Sequence, residues 1–409
     1  MTSLNATTER GLLAELAEGE HSGSRASVAA SCSRLGVHYR TEYRVEQAMA
    51  MYRRSLILFE ALRERINVAA TYRALAELCE LAGDMGESRY FQEEALAISN
   101  ELGDRNGEAI SYGALGFLQQ LDGDLESAEW MYRKALSLHD QHNIEDGCAE
   151  ALGNLGSLSL IRGDLEKAVA LHRQSLGLFE AAEDAGGVAM QLNSLGNVAL
   201  AKGGIGEARK LFEDGLALHS EIDDPLGMGL QFNGLGRLDQ LVGQDEAADL
   251  NYGKALDCFA RVGHKANLAM VHGNRGMLFM KRGDALAARH EMETAIELWE
   301  FIGNDRGIAN ASKSLGDIYV ILSESDEKIR SAYMRAMKLF EVFDDEEALA
   351  SIHVGLGNAA AQDIRVPDAI GNWTIAADMY RKMGYEKRVR HIEEAIRGIW
   401  TKTGKTKVA

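Results

Sequence analysis

The side chains in this sequence that can do chemistry are amides, methionines and scattered cations. Asn193 and Asn197 stand four residues apart, and Asn233, Arg237 and Gln240 carry the pattern on about forty residues later. A four-residue spacing puts two side chains on one face of a helix. An Asn or Gln amide both donates and accepts, so a ladder of amides can hold the backbone of an extended peptide without reading its side chains. Further on, Met277 and Met280 beside Lys281, with Lys313 following, combine an adaptable apolar patch with cations that can meet carboxylates. Towards the N-terminus Arg40, Arg73, Glu77 and Glu80 offer both signs of charge. The same residues have a competing structural use, since amides also bond neighbouring helices and methionines at helical spacing also fill cores.

Catalytic patterns are missing. There is no P-loop, no G-x-G-x-x-G after a strand, no H-E-x-x-H, no G-x-S-x-G and no C-x-x-C pair. His139 and His142, with His172 one unit later, come nearest to a metal site. His139 and His219, however, occupy the repeat site that elsewhere holds Phe59, Phe179, Phe259 and Trp299, which assigns them to packing. The pairs Asp223-Asp224 and Asp344-Asp345 fall in expected loops, where solvation and helix capping account for them. No enzymatic activity, cofactor or metal is expected, and function is expected to lie in shape.

The elements that position these residues follow from self-similarity. Leu35-Gly36 returns as Leu75-Ala76, Leu115-Gly116, Leu155-Gly156, Leu195-Gly196, Leu235-Gly236, Arg275-Gly276 and Leu315-Gly316 at a spacing of 40, then as Leu356-Gly357 after 41. Small residues recur twelve positions on (Ala48, Ala128, Ala168) and nineteen positions on (Ser55, Ala135, Ser175). Between them the apolar residues keep three- and four-residue spacing, the mark of amphipathic helix. Gly83-Asp84, Gly123-Asp124 and Gly163-Asp164 mark a tight turn, because Gly takes the positive φ that ends a helix and Asp caps the next. A second, longer break is expected at 103–107, 144–147, 223–227 and 304–307. Each mid-helix glycine costs roughly 1 kcal/mol against Ala, so the column is expected where a neighbouring helix leaves no room for a Cβ. Ala76 suggests that smallness is the requirement.

Leu-Gly, Ala twelve on and Ala-Leu nineteen on resemble the tetratricopeptide repeat, here with a 40-residue period in place of the usual 34. The longer variant resembles the arrays of kinesin light chain, of the Pins/LGN proteins and of bacterial Rap-type regulators. Leu195-Gly196-Asn197 and Leu356-Gly357-Asn358 match the Leu-Gly-Asn tripeptide of the LGN group. The resemblance spans roughly residues 27–400. It implies an all-α fold, a right-handed superhelical α-solenoid of about nine helix-turn-helix repeats. The expected layout is an N-terminal segment over 1–26 (a short helix, then a flexible stretch at 21–25), repeats over 27–385, a capping helix over 386–402 and a basic tail over 403–409.

By the same resemblance the first helix of each pair lines a concave groove, with inward sites three residues before the glycine site and one, four and five after it. These sites select Arg73, Asn193, Asn197, Asn233, Arg237, Gln240, Met277, Met280, Lys281 and Lys313 as peptide-binding candidates. The expected function is a non-enzymatic scaffold or adaptor that binds an extended or short-helical partner segment bearing acidic and apolar residues. A peptide-responsive regulator of the Rap type and a self-assembling scaffold are the alternatives.

Composition bounds the rest. The 409 residues carry 44 basic and 62 acidic side chains for a net charge of −18, which disfavours nucleic acid as a partner. From Arg381 on the balance is +6, so the remainder is −24. No apolar run is long enough for a membrane span, and no secretory signal is read at the N-terminus. Four scattered cysteines make no disulfide framework, and a reducing cytosol is the expected location. The array deviates at SESDEKI (323–329), which lacks the turn glycine and carries one extra residue. Either a bend or simple drift explains it.

Overall fold

The computed structural model describes residues 2–405. Among them are twenty helices and no strands. A leading helix, α1 (Thr2–Ser22), precedes nine pairs. These are α2 (Arg25–Thr41) with α3 (Val45–Leu62), α4 (Arg65–Ala82) with α5 (Met85–Leu102), α6 (Arg105–Asp122) with α7 (Leu125–Gln141), α8 (Glu145–Ile161) with α9 (Leu165–Ala181), and α10 (Ala185–Ala201) with α11 (Ile205–Glu221). There follow α12 (Pro225–Leu241) with α13 (Asp245–Val262), α14 (Lys265–Arg282) with α15 (Ala285–Phe301), α16 (Asp305–Ile321) with α17 (Asp326–Val342), and α18 (Glu346–Gln362) with α19 (Val366–Lys382). A last helix, α20 (Glu386–Lys405), closes the series. No helix among the described residues is long and apolar enough to cross a membrane.

Every junction between consecutive helices carries one residue at positive φ. The positions run from Gly23 through Tyr43, Arg63 and Gly83 in steps of twenty to Ser323, then to Asp344, Ile364 and Gly384. The chain thus breaks with one geometry at both the first and the second turn of each repeat. This corrects the expectation of a longer second break. Residues 105–107, 145–147 and 305–307 are instead the first turn of the following helix. The flexible stretch expected at 21–25 is likewise the end of α1, a positive-φ Gly23 and a Ser24 cap on the Ser27 amide. The extra residue near 324 is absorbed by a longer junction, Leu322 to Ser325, with Ser325 capping α17. The last helix runs to Lys405, into the stretch expected as a tail. Aspartates at 84, 104, 124, 164 and 284 accept the amide three residues on, satisfying a donor that a helix start leaves unpaired.

The glycine column works as expected, and the ring behind it becomes visible. A Cβ on Gly116 would lie 2.8 Å from Tyr132, on Gly156 2.8 Å from His172, on Gly196 2.6 Å from Phe212 and on Gly236 2.7 Å from Tyr252. The ring sits sixteen residues after its glycine, on the second helix of the same pair, and is buried. In the second repeat the ring site holds Gln92, and there the facing position is Ala76 rather than Gly. A second column sits at the start of the first helices. Cβ atoms on Gly147, Gly187, Gly227 and Gly307 would meet His139, Phe179, His219 and Trp299 at 2.1–2.5 Å. His139 and His219 are thus buried packing rings, and no group of three or more metal-ligating side chains forms among the described residues.

The chain divides into two compact units, one ending at Asn267 and one beginning at Leu268. In the first, one continuous apolar cluster runs from Leu16 to Ile98. In the second, Met292, Ile296 and Ile318 form one cluster, Tyr333 and Phe340 another, and Trp373, Tyr380 and Val389 a third under α20.

Candidate binding surface of the first unit

Consecutive helices pack from α1 to α13 and again from α15 to α20, and the first helices of successive repeats also touch one another: α4 with α6, α6 with α8, α8 with α10, and α10 with α12. The second helices make no contact of that extent among the described residues. The first helices therefore crowd the inside of the curve, and their free faces line its hollow.

On that lining the amides are occupied. Asn193 is 8% exposed, and its Nδ2 donates to Gln231 Oε1 at 3.1 Å. Gln231 in turn donates to the Ala189 carbonyl at 3.0 Å. Asn197 Nδ2 donates to Asn193 Oδ1 at 3.1 Å, and Arg237 donates to Asn197 Oδ1 at 2.8 Å. Gln240 accepts the Tyr252 hydroxyl at 2.7 Å, and Asn233 is buried. Asn193, Asn197 and Arg237 thus form one network through Gln231, tying α10 to α12, with Asn197 half-buried and Arg237 exposed at its wet end. Arg73 lies apart on α4. It is half-buried, donates to Ser99 Oγ at 3.2 Å and stands 4.0 Å from Asp104, and burial lowers its pKa. In the second unit Met277 is 49% exposed, Met280 packs on the Met292 cluster, Lys281 is exposed and Lys313 pairs with Asp317 at 2.8 Å.

The structure adds a column that the sequence reading left out, six residues before the glycine site. It holds Ile110, Glu150 and Met190, all exposed, and Ile110 shares its face of α6 with the exposed Phe117. Glu150 is open to water, yet burial is the main cause that raises its pKa, with Asp146, Glu77 and Asp184 adding repulsion. A carboxylate that is wet and still desolvated lies inside a concavity. Repulsion from Glu77 on α4 and from Asp184, the cap of α10, places acidic groups of three repeats around the same space. Glu80, half-buried, is pushed up to about 7, first by burial and also by Glu77, against one hydrogen bond from Ser88 at 2.9 Å.

The first unit also meets itself. The Tyr43 hydroxyl donates to Asp224 Oδ1 at 3.2 Å, and Lys265 Nζ donates to the Ala82 carbonyl at 3.4 Å. These partners are 181 and 183 residues apart, four and a half repeats, so the array completes a turn and its early turns rest on its later ones. Tyr43 makes this contact from φ 56, a conformation that costs a non-glycine residue about 1–2 kcal/mol. Burial and Asp224 raise its pKa to about 12, which keeps the hydroxyl a donor. Burial opposes the charge of Asp224, but the neighbouring His219 ring, 2.9 Å away, and Tyr43 outweigh it and hold the carboxyl below the usual range.

A stack of helix pairs, each packed mainly on its neighbours, with one crowded inner face and a hollow, defines an α-solenoid of helical hairpins. The tetratricopeptide repeat family matches residues 25–101, 67–141 and 147–221. Residues 25–141 and 147–221 thus match the tetratricopeptide repeat. The chain is similar in structure to a signal transduction ATPase with numerous domains that has a tetratricopeptide repeat sensor, from Pyrococcus horikoshii. The identity is 16% and the TM-score 0.56, over 85% of this chain and 55% of that one. The chain thus spans little more than half of that protein's length. A Rap protein complexed with competence and sporulation factor matches at 14% identity and TM-score 0.46, over 92% of this chain and 98% of that one. BtubC (BKLC) from P. vanneervenii matches at 20% and 0.44, over 57% and 92%. No curated protein matches the chain in sequence. At these identities the likeness is one of fold.

Proposed function

We propose that the chain is a protein-interaction scaffold whose first unit holds a segment of a partner protein in its hollow. The observation that carries this reading is Glu150, wet yet desolvated, in a column with exposed Ile110 and Met190. Apolar side chains left open on an enclosed wall are available for burial by a partner at roughly 25 cal/mol per Å². A carboxylate such as Glu150, whose pKa burial and neighbouring acids raise, gains most from a partner's cation. The segment is therefore apolar, with a basic residue at the level of Glu77 and Glu150. Arg237, held by Asn197, is the place for an acidic side chain or a carbonyl. Asn193 and Gln240 act from behind, as supports. Met277 and Lys281 offer a comparable pairing in the second unit.

The test places a photo-crosslinking amino acid at Ile110 and, as an outer-face control, at the exposed Trp130. The expected result is one crosslinked partner segment, apolar with a Lys or Arg, captured from position 110 and lost when Met190→Ser and Phe117→Ser are added. Phe117 and Met190 are each 38% exposed, so the serine changes are expected to cost about 1–2 kcal/mol each, and a thermal melt checks that the fold is kept. Identical captures from positions 110 and 130 would refute the reading.

A further inference from the structure

Where the early turns of the first unit rest on the later ones, they leave a cavity of about 580 Å³ between them. The early side contributes Arg40, Tyr43, Glu77 and Glu80, and the late side contributes Asp223, Asp224 and His264. Leu81, Ile222 and Leu226 supply apolar wall. We propose that this cavity is a binding site for a small organic cation, an ammonium or guanidinium group carried on a short apolar body. The site borders the hollow, with Glu77 bearing on both, and is defined by the cavity's own lining.

The charges on the walls set the sign of the ligand. Four carboxylates face one guanidinium, and that guanidinium is engaged, since Arg40 pairs with Glu77. Asp224 is held by Tyr43 and stands beside His219. Asp223 is 3.9 Å from Arg261. His264 supplies no charge, because burial lowers its pKa and its Nδ1 accepts the Asn267 amide at 3.3 Å. Glu80 is the carboxylate left over.

The repeat pattern shows why Glu80 is uncommitted. In the third and sixth repeats the residue four after the glycine site accepts a ring hydroxyl from twelve residues further on. Tyr132 bonds Gln120 at 3.2 Å, and Tyr252 bonds Gln240 at 2.7 Å. In the second repeat that ring is replaced by Gln92, which is 2% exposed and whose Oε1 has no partner, so no ring hydroxyl arrives at Glu80. The position that in the third and sixth repeats carries a neutral, satisfied amide here carries an acid whose one hydrogen bond comes from Ser88.

The walls also set the ligand's size. A monatomic ion would leave most of 580 Å³ unfilled and the three aliphatic side chains unused. A chain of a few methylenes ending in a cation fills both needs. Two sources share this chemistry: a free amine of the agmatine type, and a Lys or Arg side chain of another polypeptide.

The test is calorimetric titration of the full chain with agmatine, with acetyl-arginine amide and with uncharged n-butylurea. Agmatine is expected to bind saturably at one site and n-butylurea not at all. Glu80→Gln is expected to weaken agmatine by about tenfold to a hundredfold, the range for one hydrogen bond to a charged group. Its melting temperature should not fall, because the change removes an uncompensated charge and keeps the acceptor for Ser88. Tighter binding of acetyl-arginine amide than of agmatine assigns the site to a side chain, and the reverse order assigns it to a free amine. No saturable heat from either cation up to about 10 mM overturns the proposal, as does an affinity unchanged in Glu80→Gln.

Discussion

The pairing of a mid-helix glycine with a large buried side chain, a ring in every such repeat but the seventh, can be tested by transplanting it into the second repeat, which lacks both. In the second repeat Ala76 faces Gln92. Gln92→Tyr alone restores the ring against a β-carbon. The other repeats show what that means, since a Cβ at the glycine site would sit 2.6–2.9 Å from the ring in Gly116, Gly196 and Gly236 and in the outermost case Gly36. Overpacking of this kind costs about 1–3 kcal/mol. Ala76→Gly alone loses helix propensity and leaves a gap, at about 1 kcal/mol. Together the two changes seat the ring on glycine, remove the unpartnered Gln92 oxygen and bring a hydroxyl to Glu80. An unsatisfied buried polar atom is worth about 1–3 kcal/mol, so the double variant is expected to be near or above wild type in stability. The coupling energy is then about 2 kcal/mol or more in favour of the pair. A stacked array opens locally, so the appropriate assay is native-state hydrogen exchange of α4 and α5 amides across the four-member cycle. Additive single effects would refute the account of the glycine column.

Other outcomes follow from the same geometry. Glu80 has a folded pKa of about 7 against an ordinary 4.5. It therefore favours the fold fully below pH 4.5, and that contribution is lost as the pH rises through 7. Its size is about 3 kcal/mol at most, reduced by the water that reaches the group. Melts at pH 5 and 8.5 should show Glu80→Gln stabilised against wild type at the higher pH and equal to it at the lower, and parallel curves would refute the assignment. Gly227→Ala drives a Cβ to 2.1 Å from the buried His219 ring, whereas Gly186→Ala meets nothing nearer than 3.4 Å. The first is expected to lower stability by about 1–3 kcal/mol and the second to leave it unchanged or raise it by up to about 1 kcal/mol, as read by thermal melts.

How much of this was legible in the sequence depended on distance along the chain. The glycine column, the helix pairs and the caps repeat at fixed spacing, so periodicity exposes them. The column of large side chains sixteen residues after each glycine is equally periodic, but Tyr52, Tyr132, His172, Phe212, Tyr252 and Met292 differ in type, and only the contact shows that they do one job. Glycines 147, 227 and 307 read as loop because Gly soon after Asp usually is; their reason is a ring eight residues back. The amides were picked out by their column, yet Asn193 faces Gln231 on the next first helix, a partner 38 residues away that propensity cannot suggest. The meeting of Tyr43 with Asp224 lies beyond any local pattern, because it depends on how small rotations add up over four and a half repeats. One local clue was present: Tyr43 stands where most other first turns have glycine.

The evenness of the junctions has a consequence for how the chain can change length. Positive φ recurs every twenty residues, but the inner and outer helices alternate, so the array has a parity as well as a period. Removing forty residues between equivalent points deletes one layer and leaves every surviving side chain in its role. Removing twenty keeps every turn in phase and inverts the roles: helices bearing the glycine seats fall where rings are needed, and rings meet rings. The single residue gained between Ser323 and Asp344 does neither, because a junction absorbs it before the next helix begins. Such an array tolerates small slips at its joints and growth in whole layers, and it is closed to half-steps.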